Sequence, residues 1–223
     1  MNESYFENLL GIDTSKFEYS GNGSFEMSYE PTPYNSIIKL FKKYTPLENP
    51  HFVDFDSKKG RFSFLVNYFF DAGCTGVEVQ AEYHKKCLEN LASYKEKYTE
   101  KAKKIFFVNS SAEKYAISSF ENVFYFYNTF SVKAFSKIVA NILESVKEHE
   151  RTVDIILYFP ADEFTYFLDR KTPFYHLLEI YPEEKQSNTM DKFVVYRYGK
   201  TTEILTIEMQ AVCKACIEIC SCK

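Results

Sequence analysis

Residues 54–61, DFDSKKGR, set two carboxylates, two lysines, an arginine and one glycine between a strand-like run, HFVDF, and a helix-like run, RFSFLVNYFF. A turn in that position is where open α/β sheets hold ligands, because helix N-termini present free backbone N–H groups outside the carboxyl ends of the strands. A dinucleotide needs G-x-G-x-x-G there, so that backbone can approach a pyrophosphate. This turn keeps only Gly60, which argues against NAD or FAD. Asp54 could favour a cationic ligand or cap the following helix through backbone N–H groups. About two dozen residues further on, Glu78 closes the run TGVEV, where an acidic side chain can accept hydrogen bonds from both hydroxyls of a ribose. An exposed strand-end carboxylate is the plainer alternative.

The elements around this turn alternate. HFVDF predicts a strand, RFSFLVNYFFDAG a helix ended by Gly73, CTGVEV a strand, and AEYHKKCLENLASYKEKY an amphipathic helix with Leu88, Leu91 and Tyr94 on one face. KKIFFVN, NVFYFYN, SVKAFSKIVANILESVKEH and TVDIILYFP continue as strand, strand, helix and strand. An opening helix through Ile37, Ile38, Leu40 and Phe41 precedes the first strand. This rhythm predicts an α/β, doubly wound, mostly parallel sheet with helices on both faces. After Pro160, PFYHLLEIY and DKFVVYRYG read as two strands joined by the polar loop PEEKQSNTM, which pairs them antiparallel.

At 223 residues the chain suits one domain, and 22 Phe and 18 Tyr without Trp predict an aromatic core. A net charge of −4 gives no global basic field for nucleic acid or an anionic membrane. With no basic leader and no run of roughly 18 apolar residues, a soluble, cytoplasmic protein is expected. Residues 1–35 read as an N-terminal extension, 36–200 as the α/β domain and 201–223 as a Cys-rich tail. The tail's Cys213, Cys216, Cys220 and Cys222 lack the paired C-x-x-C spacing of a structural zinc site, so reduced thiols and no metal are expected. His51, His84, His149 and His176 fall on unrelated elements and are read as structural or exposed.

In order and spacing, YEPTPY, FVDFDSKKGR, TGVEV, CLENLASY, FYFYNTF, ILYFP and FVVYRYG resemble class I S-adenosylmethionine-dependent methyltransferases over about 29–200. The nearest likeness is to a bacterial group whose first motif reads approximately D-x-G-x-G-K-G-R. The resemblance implies a Rossmann-like seven-stranded sheet with an antiparallel final strand, and S-adenosylmethionine as cofactor. It implies a cofactor site of Asp54, Asp56, Gly60, Glu78, Ser111, Ala112, Asn128 and Phe130, with Asp54 near the methionine end and Ser111 near the adenine amino group. Asn128 and Phe130, in YNTF, match motifs in which the Asn oxygen orients an acceptor amine and the aromatic packs on the substrate. Tyr29, Thr32 and Tyr34 match a segment folded over the cofactor. Asp56 and Lys58 stand where the family has glycines, and Thr129 where it usually has proline. Two functions are therefore expected: methyl transfer to an acceptor the residues do not specify, nitrogen mildly favoured by Asn128, or a non-catalytic binding or regulatory protein of the same fold.

Overall fold

The computed structural model describes residues 3–14, 30–182 and 191–199. Its centre is a seven-stranded sheet in the order β3-β2-β1-β4-β5-β7-β6. The strands are β1 (His51–Phe55), β2 (Gly73–Glu78), β3 (Ile105–Asn109), β4 (Val123–Tyr127), β5 (Val153–Tyr158), β6 (Tyr175–Ile180) and β7 (Phe193–Tyr198). The first five pair in parallel, while β7 runs antiparallel between β5 and β6. Central strands are apolar on both faces because helices cover both sides. Along β1, Phe52 enters one core cluster and Val53 and Phe55 the other.

On the Phe52 side lie α1 (Glu3–Leu10), α2 (Tyr34–Lys43), α3 (Arg61–Phe70), α4 (Ala81–Lys97) and the one-turn α5 (Thr99–Ala102). On the other side lie α6 (Val132–Glu148) and α7 (Asp162–Lys171), joined by the Phe135 and Phe164 rings stacked at 4.2 Å. Helix α6 starts where the Ser131 hydroxyl accepts the Ala134 N–H at 3.2 Å, and it buries Phe135, Ile138, Val139 and Ile142, one stripe at helical spacing.

Several local expectations are corrected. The stripe that α4 buries is Cys87, Asn90 and Tyr94, while Leu88 is 45% exposed. The Tyr94 hydroxyl donates to the Asn67 side chain of α3 at 2.8 Å, so a polar contact sets the helix's rotation. Helix α3 ends at Phe70, with Asp71 in the left-handed region at φ 53°, and Gly73 instead opens β2, where a Cβ would collide with the His51 ring. Helices α1 and α7 are additions: each buries only two or three side chains, Phe6 and Leu10 in one and Phe164 and Leu168 in the other, too few to stand out as a pattern. Among the described residues no helix is long and apolar enough to cross a membrane. Cys74 and Cys87 are buried free thiols; the tail cysteines, Tyr29 and most of the loop PEEKQSNTM lie outside the described residues.

Candidate functional site

Strand order reverses between β1 and β4, and at such a switch point the connections leave a crevice at the carboxyl edge of the sheet. A small cavity opens there, lined by Glu30, Thr32, Asp54, Asp56, Lys58 and Tyr125 among others. The turn from β1 into α3 forms its floor. Asp56, Lys58 and Gly60 all take left-handed φ, at 65°, 50° and 84°. Three alternate left-handed residues curl the backbone so that the Asp56 and Ser57 N–H groups both donate to Val77 O, at 2.9 and 3.2 Å. The turn thus has the conformation a glycine-rich loop would have, with glycine at one of the three positions. For L-residues the left-handed region costs roughly 1–2 kcal/mol each, somewhat less for Asp. Gly60 is also required by space, since a Cβ would lie 2.7 Å from Phe107 Cζ and 2.9 Å from Phe64 Cε2.

Three carboxylates gather at this turn. Asp54 is 4% exposed and lines the cavity, and the Ser63 hydroxyl, 3.3 Å from Oδ2, is its hydrogen-bond partner among the described residues. Burial pushes its carboxyl well above the usual range, and Asp56 and Glu78 push in the same direction. Glu78, expected at an exposed strand end on the plainer reading, is fully buried. Its Oε2 accepts the Lys58 N–H at 2.9 Å and its Oε1 the Gln80 N–H at 2.7 Å. Burial and Asp56 raise its pKa against those two N–H groups and the Lys58 charge. Lys58 Nζ pairs with Asp56 Oδ1 at 2.9 Å and lies 5.1 Å from the Tyr83 ring centroid. Burial alone would depress the lysine; Asp56 and Glu78 outweigh it, and the net shift is upward.

The remaining wall comes from the chain before α2 and from β4. Thr32 Oγ1 and the Tyr125 hydroxyl share a 2.5 Å hydrogen bond, and Phe62 stacks on Tyr125 at 3.8 Å. Arg61 holds that wall to α1: its guanidinium donates to Thr14, Glu3, Glu7 and the Thr32 carbonyl and lies 4.3 Å from the Tyr34 ring centroid. Tyr34 belongs to this clamp, its hydroxyl donating to Glu7 at 2.8 Å. Tyr127 also lines the cavity, with a phenol pushed up to about 12 by burial, with Glu30 and Asp191 adding to the shift. Sequence reasoning missed Arg61, Tyr125 and Tyr127, although the alternation in FYFY marks Tyr125 and Tyr127 as facing one side.

The other expected site residues lie at the same edge of the sheet but do not line this cavity. Glu78 ends β2 beneath the turn, and Ser111 and Ala112 begin a short 3₁₀ turn after β3. Ala112 is buried in the core cluster with Val77, and Ser111 uses its carbonyl, not its hydroxyl, to accept the Lys114 N–H. Asn128 follows β4, half-buried. Phe130 turns toward α6 and packs against Phe126 at 5.9 Å.

No family model matches the chain, and no curated protein matches it in sequence. Solved structures match its fold. A protein in the NADB-Rossmann superfamily from Streptococcus agalactiae aligns over 78% of this chain and 71% of its own, at TM-score 0.54 and 13% identity. An RNA methyltransferase from Salinibacter ruber, in complex with S-adenosyl-L-homocysteine, aligns over 76% and 92%, at 0.50 and 17%. The glycopeptide N-methyltransferase MtfA, complexed with S-adenosylmethionine, aligns over 74% and 86%, at 0.54 and 12%. The fold is that of the Rossmann-like methyltransferases. In that fold the cavity between β1 and β4 sits at the topological switch point, where ligands of open α/β sheets bind.

The site's chemistry fits a cationic nucleoside such as S-adenosylmethionine. Asp54 and Asp56 complement positive charge, and a carboxylate has about four acceptor positions, of which Glu78 uses two on the Lys58 and Gln80 N–H groups. Its room is smaller than its chemistry. The cavity holds about 40 Å³, whereas small-molecule sites run from about 300 Å³ upward. The side chains of Asp56 and Lys58 line what remains, so a ligand enters only if they move.

Proposed function

We propose that this protein is an S-adenosylmethionine-dependent methyltransferase. The observation that carries the reading is the β1–α3 turn, left-handed at Asp56, Lys58 and Gly60 and placed beside the buried carboxylates of Asp54 and Glu78. When bound, the cofactor supplies a methyl carbon on a positively charged sulfur. Asp54 and Asp56 complement that charge, Glu78 accepts from the ribose hydroxyls, and Ser111 and Ala112 border the adenine. The segment from Glu30 to Thr32 closes over the methionine side, held there by Arg61. Asn128 orients the acceptor, and mildly favours nitrogen as the acceptor atom. In-line displacement at a sulfonium asks for alignment and exclusion of water, which the stacked Phe62 and Tyr125 support, and needs no strong base. The two solved methyltransferases above act on RNA and on a glycopeptide, so the fold leaves the acceptor class open.

One observation favours a second reading, a non-catalytic binding protein of the same fold. Glu78 already accepts the Lys58 and Gln80 N–H groups, one at each oxygen, and Lys58 is paired with Asp56, so the turn holds together without a ligand. Calorimetric titration with S-adenosylmethionine and S-adenosylhomocysteine separates the readings. The methyltransferase reading expects micromolar binding that Glu78→Ala weakens by about 1–3 kcal/mol, the worth of a hydrogen bond to a charged group. Folded protein that binds neither at millimolar concentration would favour the non-catalytic reading.

A further inference from the structure

Lys58 is the residue at which the turn departs furthest from a ligand cradle. It adopts the left-handed backbone that glycine would adopt more easily, and it lines the cavity with a side chain such a glycine would lack. Its ammonium sits 2.9 Å from Asp56 and within the field of Glu78. The side chain is 21% exposed, so it has a path to solvent that leaves the backbone undisturbed. Arg61, the other cation of the cavity lining, is committed to Glu3, Glu7, Thr14 and Thr32. We propose that Lys58 is a tethered counter-cation: it holds the carboxylates of the turn until a cationic ligand displaces it, and so sets which ligand charge the site prefers.

This rests on the cofactor reading above and adds a specificity role that the reading does not require. With Lys58 in place, Asp56 is already paired, and a neutral thioether loses little against a sulfonium. With the ammonium removed, the carboxylates are left uncompensated and the sulfonium gains more than the thioether does. A plug that merely filled space would exclude both ligands equally.

Calorimetric titration of the wild type, Lys58→Met and Lys58→Gly with S-adenosylmethionine and S-adenosylhomocysteine tests this. Lys58→Met keeps the bulk and removes the charge, and is expected to tighten S-adenosylmethionine about three- to tenfold while changing S-adenosylhomocysteine less. Lys58→Gly is expected to tighten both. An unchanged ratio of the two affinities in Lys58→Met overturns the proposal even if the wild type binds, which would leave the cofactor reading standing. A second readout needs no ligand. Asp56 and Glu78 face the ammonium, with the Tyr83 ring beside it and the Cys87 thiol bonded to the Lys58 carbonyl. Lys58→Met should therefore lower the unfolding temperature more at pH 8 than at pH 5, because burial raises the Glu78 carboxyl and its ionisation is more complete at the higher pH. Equal losses at the two pH values would overturn the counter-cation role, whereas absence of binding by every folded variant would overturn the cofactor reading.

Discussion

Burying Asp54 with only the Ser63 hydroxyl as partner among the described residues raises its carboxyl above the unfolded value, so folding takes up a proton. A raised carboxyl contributes stability below its unfolded pKa, and that contribution is lost as pH rises through the folded value. Asp54→Asn should accordingly stabilise the free protein at pH 7.5 by at least about 1 kcal/mol, and by less at pH 4.5, while weakening a cationic ligand. Thermal unfolding of both proteins at the two pH values checks this; equal stability at pH 7.5 would show that the carboxyl is not strained by burial. His51 acts in the opposite sense. Burial lowers its pKa to about 4, so its contribution is lost as pH falls from about 6.5 toward 4. The comparison of Asp54→Asn with wild type at each pH cancels this common background.

The turn between β1 and α3 combines residue types and conformations that a sequence pattern treats as opposed. Glycine spacing is the usual signal for a ligand cradle, and DFDSKKGR carries one glycine, yet its backbone is left-handed at Asp56, Lys58 and Gly60 alike. Conformation outlasts composition here because the Val77 carbonyl and Glu78 carboxylate hold the turn's N–H groups from the neighbouring strand. Gly60 is the position with no freedom to change. Gly60→Ala combines left-handed strain of roughly 1–2 kcal/mol with collisions against Phe107 and Phe64, and should cost more than about 2 kcal/mol in a urea titration. A loss under about 0.5 kcal/mol would mean the rings repack freely. The central strands were legible as short apolar runs buried almost along their whole length, and α6 because its burial repeats at period 3.6. The face of α4 was not, because Asn90 and Cys87 hold buried positions through contacts to Lys59 and Lys58, and hydrophobicity does not report such contacts.

Across the whole molecule, the sheet order brings the carboxyl ends of β1, β2 and β4 to one edge, and an antiparallel β7 closes the other side. A buried ion pair helps fix that closure: Arg197 of β7 donates twice to Asp154 of β5, at 2.7 and 2.8 Å, and the Tyr44 hydroxyl donates to the same carboxylate. The two closing strands were readable because a short polar loop between two apolar runs leaves room only for an antiparallel pair. The small size of the cavity was not readable, because it depends on where the Lys58 side chain turns, and the occupation of Glu78 was not, because it depends on the Lys58 and Gln80 N–H groups. The proposed function puts S-adenosylmethionine at this edge of the sheet, at the turn after β1. Its most direct test is backbone amide NMR of the protein during titration with that compound. Binding at the turn should give saturable shifts concentrated at residues 56–60 and 78–80, with the Lys58 and Gln80 amides, both bonded to Glu78, among the largest. Saturable shifts confined to another part of the molecule, or none from folded protein at millimolar ligand, would contradict it.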